Sequence, residues 1–335
     1  MLRGSQLGIS ILLFPVAALF SQPSGPWRDP SSHTVKFVTV EKSVRLEVLD
    51  WGGSGRPVVL LAGGGNTAHV FDDFAPKLRA RCRCHVYGIT QRGFGASGYS
   101  PCENGCDCLG DDVLAVIRFL KLNRQVLVGH SVAGCELSSV ATRYPTLVAG
   151  LIYLEAAYPY AFDNGKGPTM TEFEETKGPQ PPTPRPTDLA SFRALQKWDE
   201  QVYGFRMPEA EFRQTWDSTG EGRPVKPRDF PGSQTLMTIM MGGKRYADIP
   251  VPALAIFAIP HVQEPWMSKS TDPAVREAAK AYFTRIDALA EKQARTFADG
   301  VTTARVIRLP GMHYLYLSNE SDVLRETCTF LAGLK

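Results

Sequence analysis

Residues 125–145 constrain the fold more than any other stretch of this 335-residue chain. Residues 125–129, QVLVG, form a short, mostly apolar run of the kind expected of a strand buried on both faces. The run passes through Gly129-His130-Ser131-Val132-Ala133-Gly134 straight into a helical segment, 132–144, that Pro145 stops. A strand that turns this sharply into a helix needs small residues two before and two after its central Ser131, because those positions come close together. Gly129 meets the need, and Ala133 departs from glycine by a single methyl. An ordinary strand-to-helix turn with Ser131 as N-cap is the alternative reading.

The same alternation of β-rich and helical runs extends along the chain. Strands are expected at 34–40, 44–49, 57–62, 85–90, 147–154, 251–258 and 303–309. Helices are expected from about 68, at 109–122 with Asp111 and Asp112 in its first turn, at 273–297 and at 320–334. Such alternation specifies an α/β fold, a mostly parallel central sheet flanked by helices. It is interrupted between 158 and 248. That stretch holds the densest proline cluster, 179–186, then helical pieces near 189–203 and 208–215. Phe192, Trp198, Tyr203, Phe205, Phe212 and Trp216 argue against disorder, so the stretch reads as an inserted helical cap reached through a Pro-rich linker. The expected layout is a core at 35–157 and 249–335, with the cap at 158–248.

Residues 1–21 stand apart. Arg3 precedes an apolar run, Leu7 to Phe20, and small and polar residues follow. This is the pattern of a secretory signal peptide and is short for a membrane span, with an uncleaved anchor as the alternative. A secreted or periplasmic protein with no stable membrane insertion after cleavage is expected. A net charge of +3 without charged runs gives no footprint for nucleic acid or an anionic surface. Seven cysteines leave at least one thiol unpaired. Cys102, Cys106 and Cys108 crowd one loop and are expected to include a disulfide, with Cys82 or Cys84 as candidate partners. Zinc is the rival reading, but the spacing matches no common zinc pattern. Cys135 and Cys328 fall in helices and read as core.

The 129–134 segment resembles the nucleophile elbow of the α/β-hydrolase fold superfamily, usually Gly-x-Ser-x-Gly. The resemblance covers about residues 35–335 and implies a serine hydrolase, esterase-like, with Ser131 as nucleophile. His313, in Leu309-Pro310-Gly311-Met312-His313 after the last strand, stands where the superfamily carries its base. Most relatives place an aspartate after the strand matched by 251–258; here His261 takes that place and Glu264 is the nearest carboxylate. Some relatives place the acid one strand earlier, where Glu155 ends an apolar run. A carboxylate there needs a partner, and the His313 Nδ1–H would supply one, so Glu155 is the expected acid and Glu264 the alternative. Leu61-Ala62-Gly63-Gly64-Gly65 resembles the His-Gly-Gly-Gly segment of esterases, which implies oxyanion donors at the Gly64 and Val132 N–H groups. Arg92, in a further matching loop, reads as structural.

The implied chemistry is two-step acyl transfer through an acyl-enzyme on Ser131, with no cofactor and no metal. The expected substrate is a small or medium carboxylic ester or related acyl compound, in an apolar pocket lined by cap aromatics. Ser131 at the elbow disfavours the Asp-nucleophile chemistry used on epoxides and haloalkanes. Acyl transfer to another acceptor, cofactor-free perhydrolysis, or a catalytically silent binding protein are the alternatives on the same fold.

Overall fold

In the computed structural model, residues 27–102, 105–240 and 245–335 are described. The expected signal peptide lies outside them. Residues 27–30 belong to a separate N-terminal unit, Met1–Pro30, and have no regular secondary structure.

The chain opens with β1 (Thr34–Glu41) and β2 (Val44–Gly53), then β3 (Pro57–Leu61), α1 (Ala75–Cys82) and β4 (His85–Ile89). Next come α2 (Cys106–Phe119), β5 (Gln125–His130), α3 (Gly134–Arg143) and β6 (Val148–Leu154). The stretch between sheet strands holds α4 (Met170–Glu175), α5 (Phe192–Tyr203), α6 (Glu209–Thr215), β7 (Trp216–Ser218), β8 (Pro224–Pro227) and α7 (Ser233–Met240). The chain ends with β9 (Ala253–His261), α8 (Pro265–Ser268), α9 (Pro273–Gly300), β10 (Ala304–Gly311), α10 (Leu315–Ser318) and α11 (Glu320–Gly333).

One eight-stranded sheet runs β1-β2-β4-β3-β5-β6-β9-β10. β2 pairs antiparallel with β1 and β4, and the remaining pairs are parallel. Alternating side chains feed two cores. Val58 and Leu60 of β3 face the side covered by Leu78 of α1 and Leu331 of α11. Val59 and Leu61 face the side covered by Val113 of α2, Leu137 of α3 and Ala294 of α9. Burial on both faces is why β3, β5 and β6 read as continuous apolar runs rather than alternating ones.

Several local expectations are corrected. The helix expected from about 68 begins as a 3₁₀ turn, Ala68–Phe71, and α1 starts only at Ala75. α2 starts at Cys106, so Asp107 occupies its first turn. Asp112 instead forms a buried pair with Arg92, at 2.6 Å from both Nε and Nη2, and a tertiary ion pair replaces the helix-dipole role. The cysteines pair as Cys82–Cys328, Cys102–Cys108 and Cys106–Cys135, with Cys84 buried and free. Cys135 and Cys328 are therefore bridged rather than plain core residues. The 102–108 loop is tied to α3, not to Cys82 or Cys84, and its cysteines are unavailable as zinc ligands. In the 158–248 stretch, residues 176–185 have no helix or strand. Phe192, Leu195 and Phe212 form a small core of their own, against which Trp198 and Trp216 pack. Each such buried side chain contributes about 1.5–3 kcal/mol.

Candidate active site

β5 delivers Ser131 at φ +52°, a left-handed conformation that costs a non-glycine residue energy and that this turn imposes. Both flanking glycines have a steric reason. A Cβ on Gly129 would lie 2.7 Å from Leu137 Cδ1, and one on Gly134 would lie 1.9 Å from the Ala156 carbonyl oxygen. Gly134 thus lets α3 close onto the chain just after β6, beside Glu155. The glycine loop after β3 reaches the same place. A Cβ on Gly63 would meet His130 Nδ1 at 2.8 Å and Ser131 Cβ at 3.0 Å. One on Gly64 would meet Val132 Cγ1 at 3.5 Å. The segments carrying Gly64 and Val132 are therefore adjacent.

Glu155 follows β6 at φ +50° and is 1% exposed. Its Oε1 accepts the Ala258 N–H at 2.5 Å, and the Tyr158 hydroxyl donates to Oε2 at 2.9 Å. Oε2 also lies 3.4 Å from His313 Nδ1 and 3.5 Å from His261 Nε2. Burial alone would raise this carboxyl, but the two imidazoles, His261 first, outweigh it and hold it at about 2. Glu155 is thus a permanent anion at neutral pH, braced by four groups. Glu264 lines the same cavity but makes no hydrogen bond to His313. Burial raises its carboxyl, while His261 and His313 oppose the rise.

His261, at the end of β9, is a functional position the sequence left unassigned. Its Nδ1 lies 2.6 Å from Asp287 Oδ1 on α9, which also accepts the His261 N–H at 3.0 Å. Burial disfavours the imidazolium, yet Asp287 and Glu155 together lift this group to about 9. A cation therefore stands where most relatives place the aspartate.

His130 points away from the cavity, as the strand alternation requires. Its Nε2–H donates to the His313 carbonyl at 2.9 Å, and its ring packs on His313 with centroids 4.7 Å apart. Burial, then His313, pushes it down to about 3, so it is neutral and anchors the His313 loop. The other three histidines are engaged elsewhere: His33 and His69 bond Asp72, and His85 bonds Asp50.

Ser131, Glu155, His261 and His313 line one cavity of about 260 Å³. Tyr160 lines the cavity with Ser131, and the serine hydroxyl opposes the rise that burial imposes on its phenol. Aromatic walls come from Tyr158, Tyr160, Phe173, Tyr282 and Phe283, with Met170, Met240 and Met312. None of the six aromatics singled out in 192–216 lines it. Four of them pack with one another, and Phe205 packs at a tilt against Tyr314 with ring centroids 5.3 Å apart. Phe192 and Phe212 fill the core of this stretch instead, and Tyr203 lines a separate cavity.

The 158–248 stretch touches the site in another way. Glu211 of α6, 0% exposed, accepts from Asn66 Nδ2 at 3.0 Å, Thr67 N–H at 3.0 Å and Thr67 Oγ1 at 2.5 Å. Asn66 Oδ1 in turn accepts the Tyr314 hydroxyl at 2.8 Å. One carboxylate thus ties α6 to the glycine loop, and through Asn66 to the residue after His313.

A family model described as the alpha/beta hydrolase family matches residues 58–326. The chain belongs to the alpha/beta hydrolase family. Among curated relatives, a pyrethroid hydrolase of Sphingobium wenxiniae is 29% identical over 193 residues, 50% of this chain and 63% of that protein. Mouse epoxide hydrolase 4 is 27% identical over 150 residues, 42% of this chain and 40% of that protein. A bifunctional esterase/perhydrolase of Acinetobacter calcoaceticus is 29% identical over 125 residues, 37% of this chain and 45% of that protein. The matched region thus spans less than two thirds of the length of each of these relatives. Among solved structures, E-2-(acetamidomethylene)succinate hydrolase superposes with a TM-score of 0.59 at 17% identity, covering 90% of this chain and 100% of that one. At that identity the likeness establishes the fold alone.

Proposed function

We propose that this alpha/beta hydrolase is a serine hydrolase that cleaves a small or medium carboxylic ester, or a related acyl compound, through an acyl-enzyme on Ser131. The observation that carries the reading is the convergence on one cavity of a strained serine, an imidazole and a buried carboxylate. Ser131 Oγ attacks the carbonyl carbon as its proton passes to His313. His313 gives that proton to the departing alcohol. Water then attacks the acyl-enzyme with the same base and restores Ser131. Glu155 orients His313 through Nδ1 and stabilises the imidazolium. The backbone N–H groups of Gly64 and Val132 receive the oxyanion. Relatives with epoxide hydrolase names do not move the reading to alkyl-ester chemistry, because a hydroxyl rather than a carboxylate stands at the turn.

The 158–248 stretch acts as a cap over this site, with Glu211 as its tie. Export to an oxidising compartment fits the three disulfides and the first 21 residues. The test is covalent labelling by a fluorophosphonate. The Ser131 Oγ–P bond forms as fluoride leaves and the serine proton passes to the base. The label on Ser131, absent from Ser131→Ala, supports the reading. A folded protein that stays unlabelled overturns it in favour of a binding protein on this fold.

A further inference from the structure

A second cavity of about 230 Å³ adjoins the catalytic one. Glu264 and Tyr282 line both, so those two side chains form the wall between them. The outer cavity is otherwise framed by Tyr203, Trp266 and Pro179, with exposed Lys177 at its rim. Nothing in the proposed chemistry uses Glu264. Its own backbone N–H supports the charged form, but no other described residue gives it a hydrogen bond or ion pair, and its Oε2 is sealed from solvent without a partner. A half-buried carboxylate left this way is costly and is favoured only where something else supplies a donor. Burial raises its affinity for a proton, as expected of a carboxylate kept for a ligand.

The charges around Glu264 select the ligand. His261 acts on it, but that imidazolium is already bracketed by Glu155 and Asp287. His313 acts on it as well, and exposed Lys177 also lines the outer cavity. Asp199 of α5 adds a further acid acting on Tyr203, with an unpaired buried oxygen of its own. Three aromatic rings and a carboxylate that forms no ion pair among the described residues make the recognition chemistry of a positively charged nitrogen.

We propose that the outer cavity is a subsite for a quaternary or primary ammonium group on the arm of the substrate that extends past the catalytic cavity, with Glu264 as its counter-ion. This rests on the serine-hydrolase reading for the word substrate, but the binding itself does not. The test compares choline with its uncharged isostere 3,3-dimethylbutan-1-ol by calorimetry on the mature chain, in wild type and in Glu264→Gln. Choline is expected to bind at least tenfold more tightly than the isostere. The glutamine variant, with its far-ultraviolet dichroism unchanged, is expected to bring the two within about twofold. Equal affinities in the wild type overturn the proposal without needing the variant, and so does a choline preference that survives in Glu264→Gln. Fluorophosphonate labelling in parallel separates the two ideas. Glu264-dependent choline binding without labelling keeps the subsite and removes the catalytic reading. Labelling without a choline preference does the reverse.

Discussion

Glu211 offers a test in which stability and architecture are coupled. Its carboxyl is lifted by burial from an ordinary 4.5 to about 7, against the opposing hydrogen bonds of Thr67 and Asn66. Between those two values the folded protein holds a proton that the unfolded chain releases. Folding stability therefore falls as pH rises: the contribution is fully present below about 4.5 and lost on passing 7. At about 1.4 kcal/mol per pH unit, the displacement is worth about 3 kcal/mol. Glu211→Gln keeps the shape and removes the titration. Urea unfolding of both proteins should give a wild-type stability that drops by about 3 kcal/mol relative to the variant between pH 4.5 and pH 8. Parallel pH slopes for the two proteins would refute the buried, donor-surrounded placement of Glu211. Other groups that titrate in the same range cancel in the comparison.

Ser131→Ala should abolish turnover of p-nitrophenyl esters while leaving urea unfolding within about 0.5 kcal/mol of wild type, the scale of a substitution that opens no cavity. Glu155→Gln should lower kcat by orders of magnitude, as loss of the correct imidazole orientation does; a change below about threefold, under 1 kcal/mol of barrier, would move the acid elsewhere. Replacing Cys106 and Cys135 together by alanine should destabilise the protein by about 3–4 kcal/mol, the loop-entropy expectation for a bridge spanning 29 residues. A cost under about 1 kcal/mol in calorimetry would mean the bridge is not formed.

Much of the fold was legible because parallel strands buried on both faces leave unbroken apolar runs, as in 57–62 and 147–154. The sharp turn at Ser131 was legible because its steric demands fall on near neighbours in sequence, Gly129 and Ala133. The approach of Glu155 to His313 was legible because a carboxylate ending an apolar strand needs a partner. What the sequence hid depends on contacts between distant segments. Cys82 and Cys328 are 246 residues apart. Asp287 sits mid-helix, and only the folded chain brings it against His261. Nothing local in the sequence marks Glu211, which is wholly buried against Asn66 and Thr67. The aromatics of 192–216 were read as pocket walls because composition says that a segment packs, not which face it packs against.

The most direct test of the central claim is mass spectrometry of the fluorophosphonate-treated protein, alongside turnover of a p-nitrophenyl ester series by wild type and Ser131→Ala. The account predicts a single phosphonylated peptide containing Ser131 and ester release that disappears in the alanine variant. Release that persists in Ser131→Ala, or a label on any other residue, would contradict it.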